Sequence, residues 1–165
     1  MAVVRAEFSD FETVKSITEQ TIKAVYPHYY PDGAVEFFLE HHSDENIKSD
    51  IEKGRVYLYL EDNAAVGTVT VKENELCRLF VLPEYQGKGY GSKLLSFAEN
   101  KISENHSAVV LAASLPAKSV YLRRGYSETG YYSIKTENGD YLCYDMMAKS
   151  VQKGENGDEN CACRD

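Results

Sequence analysis

Residues 79–95 read LFVLPEYQGKGYGSKLL. The stretch opens as an apolar strand, breaks at Pro83, places Gly87, Gly89 and Gly91 at alternate positions, and continues as an amphipathic helix. A helix start exposes backbone N–H groups and the positive end of the helix dipole, and glycine lets a ligand approach them with no Cβ in the way. The segment Gln86, Gly87, Lys88, Gly89, Tyr90, Gly91 and Ser92 is thus read as an anion cradle suited to a phosphate or pyrophosphate. Two familiar phosphate loops do not fit. A P-loop needs Gly-x-x-x-x-Gly-Lys-Ser/Thr, whereas Lys88 precedes Gly89 and position 82 is Leu; a dinucleotide fingerprint needs Gly-x-Gly-x-x-Gly, whereas these glycines alternate strictly. The competing explanation is a tight strand-to-helix turn that uses glycine for geometry alone.

Working outward, the chain alternates helices and strands. AVVRAEF is a short strand, and Ser9 with Glu12 forms a capping box for a helix running to about Tyr26. Pro27 and Pro31 bracket a loop, after which DGAVEFFLEHH and SDENIKSDIEKG read as a broken second helix ending at Gly54. RVYLYLED, AAVGTVTVKE and ELCRLFVL form an antiparallel meander with polar turns near Asn63 and Asn74. Beyond the glycine turn come a helix to about Glu104, the strand AVVLAAS, the helix PAKSVYLRR stopped by Gly125, and a hairpin turning at Asn138-Gly139. The fold class expected is α/β (α+β), a mixed and mostly antiparallel sheet of about six or seven strands flanked by helices. Residues 1–150 read as a single domain and 151–165 as a polar, frayed tail.

Composition excludes several roles. A chain of 165 residues with 43% hydrophobic content buries roughly two-thirds of its unfolded surface and should fold alone. A net charge of −8 argues against nucleic acid and against an acidic membrane surface as partners, and gives cationic partners a mild edge. MAVVRAEFSD has no apolar signal core and no apolar run approaches the about 18 residues of a membrane span, so a cytoplasmic location is expected. Cys77 and Cys143 fall in strand-like runs and are read as small buried hydrophobes. Cys161 and Cys163 lie in the tail with no His nearby, and no metal site is expected.

Gln86-Gly87-Lys88-Gly89-Tyr90-Gly91 resembles the Gln/Arg-x-x-Gly-x-Gly/Ala signature of the GNAT acyltransferase superfamily, and LFVLP is similar to its Leu-x-Val-x-Pro lead-in. Downstream, SLPAKSVYLRRGY is similar to the family's Asn-x-x-Ala-x-x-x-Tyr-x-x-x-Gly-Phe/Tyr block, with Ala117, Tyr121, Gly125 and Tyr126 matching and Ser114 in place of Asn. The resemblance implies an N-acetyltransferase with acetyl-CoA as co-substrate, its pyrophosphate on the glycine loop, and backbone groups at Leu79, Phe80 and Val81 pairing with pantetheine. Ser114 and Ala117 would complete the coenzyme site, with a hydroxyl of shorter reach at Ser114. A splayed strand edge suits pantetheine by itself, because that arm carries peptide-like amides.

The same resemblance implies Tyr121 as the acid that protonates the leaving thiolate, since a phenol of pKa about 10 keeps its proton at neutral pH. An ammonium has no lone pair, so the amine acceptor must lose a proton, and Glu75 stands where some family members keep a catalytic glutamate. His28, His41 and His42 are alternative bases, and a water relay is another. The aromatic segment holding Tyr26, His28, Tyr29 and Tyr30 is read as the acceptor rim, with core packing as its other use. The expected partner is a small-molecule or peptide amine. A homodimer is compatible with the sequence, which leaves the oligomeric state open. A non-catalytic acyl-CoA-sensing module is the competing class of function.

Overall fold

The computed structural model describes residues 2–152; Cys161 and Cys163 lie outside the described residues. The chain begins with β1 (Ala2–Arg5) and a 3-10 turn over Phe8–Asp10, then α1 (Phe11–Val25), whose Phe11, Val14, Ile17, Thr18, Thr21 and Ile22 make one buried stripe. The helix entrance differs from the Ser9–Glu12 box expected. The preceding 3-10 turn moves the cap back to Glu7, whose backbone N–H donates to the Asp10 carboxylate at 2.8 Å. A second 3-10 turn over Tyr26–His28 leads to α2 (Asp32–His41) and α3 (Asp44–Glu52), and Ser43 caps α3 by accepting from the Asn46 N–H at 3.3 Å.

Strands β2 (Val56–Glu61), β3 (Ala64–Lys72) and β4 (Glu75–Val81) form the antiparallel meander. They are followed by α4 (Tyr90–Ser103), β5 (Ala108–Ala113), α5 (Leu115–Arg123), β6 (Ser127–Lys135) and β7 (Tyr141–Ser150). The seven-stranded sheet runs β1-β2-β3-β4-β5-β7-β6 and is antiparallel except between β4 and β5. Helices cover both faces. Leu94, Leu95, Ala98 and Ile102 of α4 and Tyr121 of α5 pack with Val69, Leu76 and Leu111 on one side. Ile17, Ile22, Ile47 and Ile51 of α1 and α3 pack with Leu58, Phe80 and Leu142 on the other. Among the described residues no helix is long and apolar enough to cross a membrane. Cys77 and Cys143 are only half-buried, a correction to their reading as core residues. Cys77 sits where the sheet opens, so its thiol meets a cleft instead of packed side chains.

Two irregularities in β4 open that cleft. Thr68 faces Phe80 and Thr70 faces Cys77, so Arg78 and Leu79 together oppose the single residue Val69, a bulge at which Arg78 takes φ +47°. Beyond the one parallel rung, Glu75 with Val110, β4 and β5 separate. The bulge is pinned from α3. Arg78, buried, donates from Nη1 to Asp50 at 3.1 Å and to Thr70 Oγ1 at 2.9 Å, and from Nε to His42 Nδ1 at 3.3 Å. Lys72 at 3.1 Å and Arg55 at 3.9 Å also pair with the buried Asp50 carboxylate.

Replacing Asp50 with alanine would strand the buried guanidinium of Arg78. Breaking one side of such a pair costs about 3–5 kcal/mol. Asp50→Ala should lower stability by about that much in denaturant unfolding. A loss under about 1 kcal/mol would mean that Thr70, His42 and water hold Arg78 without it.

Candidate active site

The cleft between the separated strands has a volume of about 690 Å³ and is walled by α1, α2, β4, α4 and α5. Its glycine end is built by a change of backbone hand. Gly87 and Gly89 lie at φ +74° and +84°, a region costly for other residues, and Gly89 is the residue before the first turn of α4. A Cβ built on either glycine would meet no atom within 4 Å, so both backbones face open space. Gln86, Gly87, Gly89, Tyr90, Gly91 and Ser92 line the cleft. Lys88 does not; its ammonium sits 4.9 Å from the ring centre of Tyr85. The carbonyl of Val81 is occupied by the side chains of Gln86, at 2.9 Å, and Thr21, at 3.3 Å, which ties the loop to α1. Arg123 and Arg124 also reach the wall, with Arg124 donating to Ser96 at 2.8 Å and to Glu99 at 3.1 Å.

In the middle of the cleft, Leu79, Phe80 and Val81 of β4 stand opposite Ala112, Ser114 and Ala117. Tyr121 is buried and on the wall, and burial raises its phenol pKa, with Tyr26 and Cys77 adding to the rise. Those three groups therefore share one neighbourhood. Burial also pushes Cys77 up, to about 11, with Glu75 contributing, so the thiol is protonated at neutral pH. Tyr26 is raised by burial and partly relieved by a hydrogen bond with the Ser114 side chain. The short hydroxyl at Ser114 is thus engaged with Tyr26.

At the far end stand Tyr26, Tyr29, Phe38, His41, His42 and Glu75. Glu75 begins β4 and is exposed, close enough for its charge to act on His41 and Cys77. Tyr29 is 53% exposed on the rim. Tyr30 and His28, from the same aromatic segment, are not on the wall: Tyr30 is buried with its hydroxyl accepting from the Leu115 N–H at 2.7 Å, and His28 is exposed elsewhere. His41 is lowered by burial and by the nearby charges of Arg78 and Lys72. His42 is lowered further, to about 3, by burial first and then by Arg78, His41 and Lys72. A base this weak holds no proton to exchange near neutral pH. With Nδ1 accepting from Arg78, the neutral ring carries its proton on Nε2. Among the described residues no group of three His, Cys, Asp or Glu could hold a metal.

Asp50, Arg78 and His42 as a unit were not evident from the sequence. The available signal was a lone arginine in the apolar run ELCRLFV, since a charge on a buried strand face demands a carboxylate partner.

The folded-state pKa of His42 lies below its unfolded value of about 6.5, so the unfolded chain alone takes up this proton as pH falls from about 6.5 toward 3. Its contribution is complete above that window and is lost through it, by at most about 1.4 kcal/mol per pH unit. Stability curves of wild type and His42→Gln should therefore converge as pH falls and run parallel above neutrality. Parallel curves throughout the acid range would show that His42 titrates normally.

The family model described as "Acetyltransferase (GNAT) domain" matches residues 25–147. Among solved structures, the chain is similar to a protein of Rhodopseudomonas palustris described as a GCN5-related N-acetyltransferase, with a TM-score of 0.83 and 19% identity over 91% of this chain and 95% of that one. It is also similar to the paia N-acetyltransferase of Thermoplasma acidophilum, solved in complex with coenzyme A, at TM-score 0.72 and 21% identity, covering 91% of this chain and 98% of that one. A third, yncA of Salmonella typhimurium, a putative acetyltransferase solved with its cofactor acetyl-CoA, gives TM-score 0.70 and 17% identity over 99% of both chains. At these identities the structures speak for the fold, and the family match speaks for the class.

Proposed function

Because the chain belongs to the GNAT acetyltransferase family, we propose that it moves an acetyl group from acetyl-CoA to the primary amine of a small molecule or peptide, by direct attack in a ternary complex within a single domain over residues 1–150. The observation that carries this reading is the continuous cleft from the left-handed glycines at the mouth of α4, along the unpaired edge of β4, to Tyr121 and Glu75. The open backbone at Gly87 and Gly89 and the first-turn amides of α4 fit a pyrophosphate. The backbone of Leu79, Phe80 and Val81 on the β4 side that leaves β5 fits the amides of a pantetheine arm, apart from the Val81 carbonyl, which Gln86 and Thr21 already hold.

The reaction needs a neutral amine, a route for the acetyl carbonyl and a proton for the thiolate. Glu75, exposed at the acceptor end, takes the ammonium proton directly or through water; His41, neutral at physiological pH, is the next candidate, and His42 is too weak a base. The amine nitrogen then bonds to the thioester carbon while the carbon–sulfur bond breaks, and the second proton shed by the nitrogen restores the Tyr121 phenol after that phenol has protonated the sulfur. Tyr121 holds a donor O–H toward the departing sulfur, and its raised pKa keeps that proton in place until the thiolate develops.

Two substitutions test the halves of the cleft. In Gly89→Val a β-branched side chain would stand in the open space meant for the phosphates and would resist φ +84°. Calorimetry should show acetyl-CoA affinity reduced on the order of 10²-fold, and wild-type affinity in a folded variant would remove the loop from the site.

Tyr121→Phe keeps the ring against Tyr126, 5.5 Å away between centres, and deletes the proton. Thiol release from acetyl-CoA with an amine panel should fall on the order of 10²-fold with acetyl-CoA affinity little changed. Unchanged turnover with a lower melting temperature would make Tyr121 a packing residue. No amine-dependent thiol release from the wild type would favour a module that senses acyl-CoA.

A further inference from the structure

If the cleft acetylates an amine, as proposed, its acceptor end must also hold the remainder of that molecule. That wall carries one carboxylate, Glu75, and two donors, on His42 and Arg78. Arg78 spends Nε on His42 and Nη1 on Asp50 and Thr70, while its Nη2 has no hydrogen-bond partner among the described residues. His42 accepts at Nδ1, which puts its proton on Nε2, again without a partner among the described residues. Both residues line the cleft. The Asp50 carboxylate is committed to Arg55, Lys72 and Arg78, which leaves a local surplus of positive charge behind this wall. Glu75, at the exposed start of β4, pairs across the strands with Lys72 and offsets part of that surplus on its own side of the wall.

We infer that the acceptor is an α-amino acid or its amide, whose carbonyl or carboxylate oxygen is bound by the Nε2–H of His42 and the Nη2–H of Arg78 while its amine faces Glu75. The inference rests on the acetyl-transfer reading and deepens it. Such a molecule places its ammonium by a carboxylate and its oxygen by two donors, matching the wall at both points. A bare alkylamine would leave both donors unpaired, and a polyamine would bring a second ammonium against the Arg55, Lys72 and Arg78 surplus. The low basicity of His42 comes first from burial, with Arg78, His41 and Lys72 lowering it further. Tyr26, Tyr29 and Phe38 supply an apolar wall for a side chain.

Calorimetric titration of the CoA-saturated full chain with phenylalanine, phenylalaninamide and 2-phenylethylamine tests this without requiring turnover. The third compound shares the ring and amine but has no oxygen. At least one oxygen-bearing compound should bind about 10-fold or more tightly than 2-phenylethylamine. Phenylalanine ahead of its amide identifies a carboxylate as the oxygen source, and the amide equal or ahead identifies a carbonyl. His42→Leu should remove most of the difference and His42→Gln, which still donates, should keep most of it. Equal binding of all three compounds, no binding of either oxygen-bearing one, or a preference untouched in a folded His42→Leu protein would overturn the inference. The wild-type comparison decides alone if His42→Leu does not fold. Failure of acetyl-CoA to bind the wild type would count instead against the acetyl-transfer reading.

Discussion

Arg78 sits in a left-handed backbone conformation that costs a non-glycine residue about 1–2 kcal/mol, and it stays there because its buried guanidinium bonds to Asp50, Thr70 and His42. The cleft depends on that arrangement. With Arg78 and Leu79 sharing one position opposite Val69, the last residues of β4 shift register, and pairing with β5 stops after the Glu75–Val110 rung. The strand edge so released has no strand partner beyond that rung, which in an ordinary sheet would be a liability. Here it forms the wall of a cavity that a peptide-like ligand can complete.

The same interaction joins the two ends of the site. Asp50 comes from α3 and His42 from the end of α2, so the side chain that holds the bulge also places the wall of the cleft's far end. On the opposite face, α4 packs over β3 and β4 through Leu94 and Leu95 and carries the glycine loop at its start. Thr21 and Gln86 both bond to the Val81 carbonyl, where the two faces meet. The two ends of the cleft thus rest on different hydrophobic cores that share β4. A shift of this strand would be felt by both.

Elements with strong periodicity were legible in the sequence. The stripe of α1, the alternating burial of β4 and the turn at Gly139, φ +89°, all follow from local chemistry. The cleft lining was legible where it too is local: the alternating glycines and Tyr121 in its helix both reach the cleft wall. What the letters hid was non-local. Arg78 and Asp50 are 28 residues apart in sequence, and nothing in ELCRLFV announces which carboxylate answers the arginine. The segment Tyr26–Tyr30 carries four residues able to face a cleft, and the 3-10 turn over Tyr26–His28 decides among them: Tyr26 and Tyr29 reach the wall, while His28 and Tyr30 do not. The cap at Glu7 escaped for a similar reason, because a 3-10 turn changed the spacing by which a capping box is read.

The net charge and the charges beside the cleft differ in sign. The chain carries −8, which on its own favours a cationic partner. Charges on the outer surface are screened over about 8 Å at physiological ionic strength, whereas charges buried near a cleft act through a low-dielectric medium and are screened much less. The group that matters at the acceptor end is therefore the buried carboxylate of Asp50 and the cations it has drawn inward. Asp50 and Glu75 stand against Arg55, Lys72 and Arg78, which leaves the neighbourhood positive by one charge, and Arg78 and Lys72 add to the lowering of His41 and His42 that burial begins. The surface excess can steer an amine toward the protein, but the fixed charges behind the wall act on what is bound once it arrives.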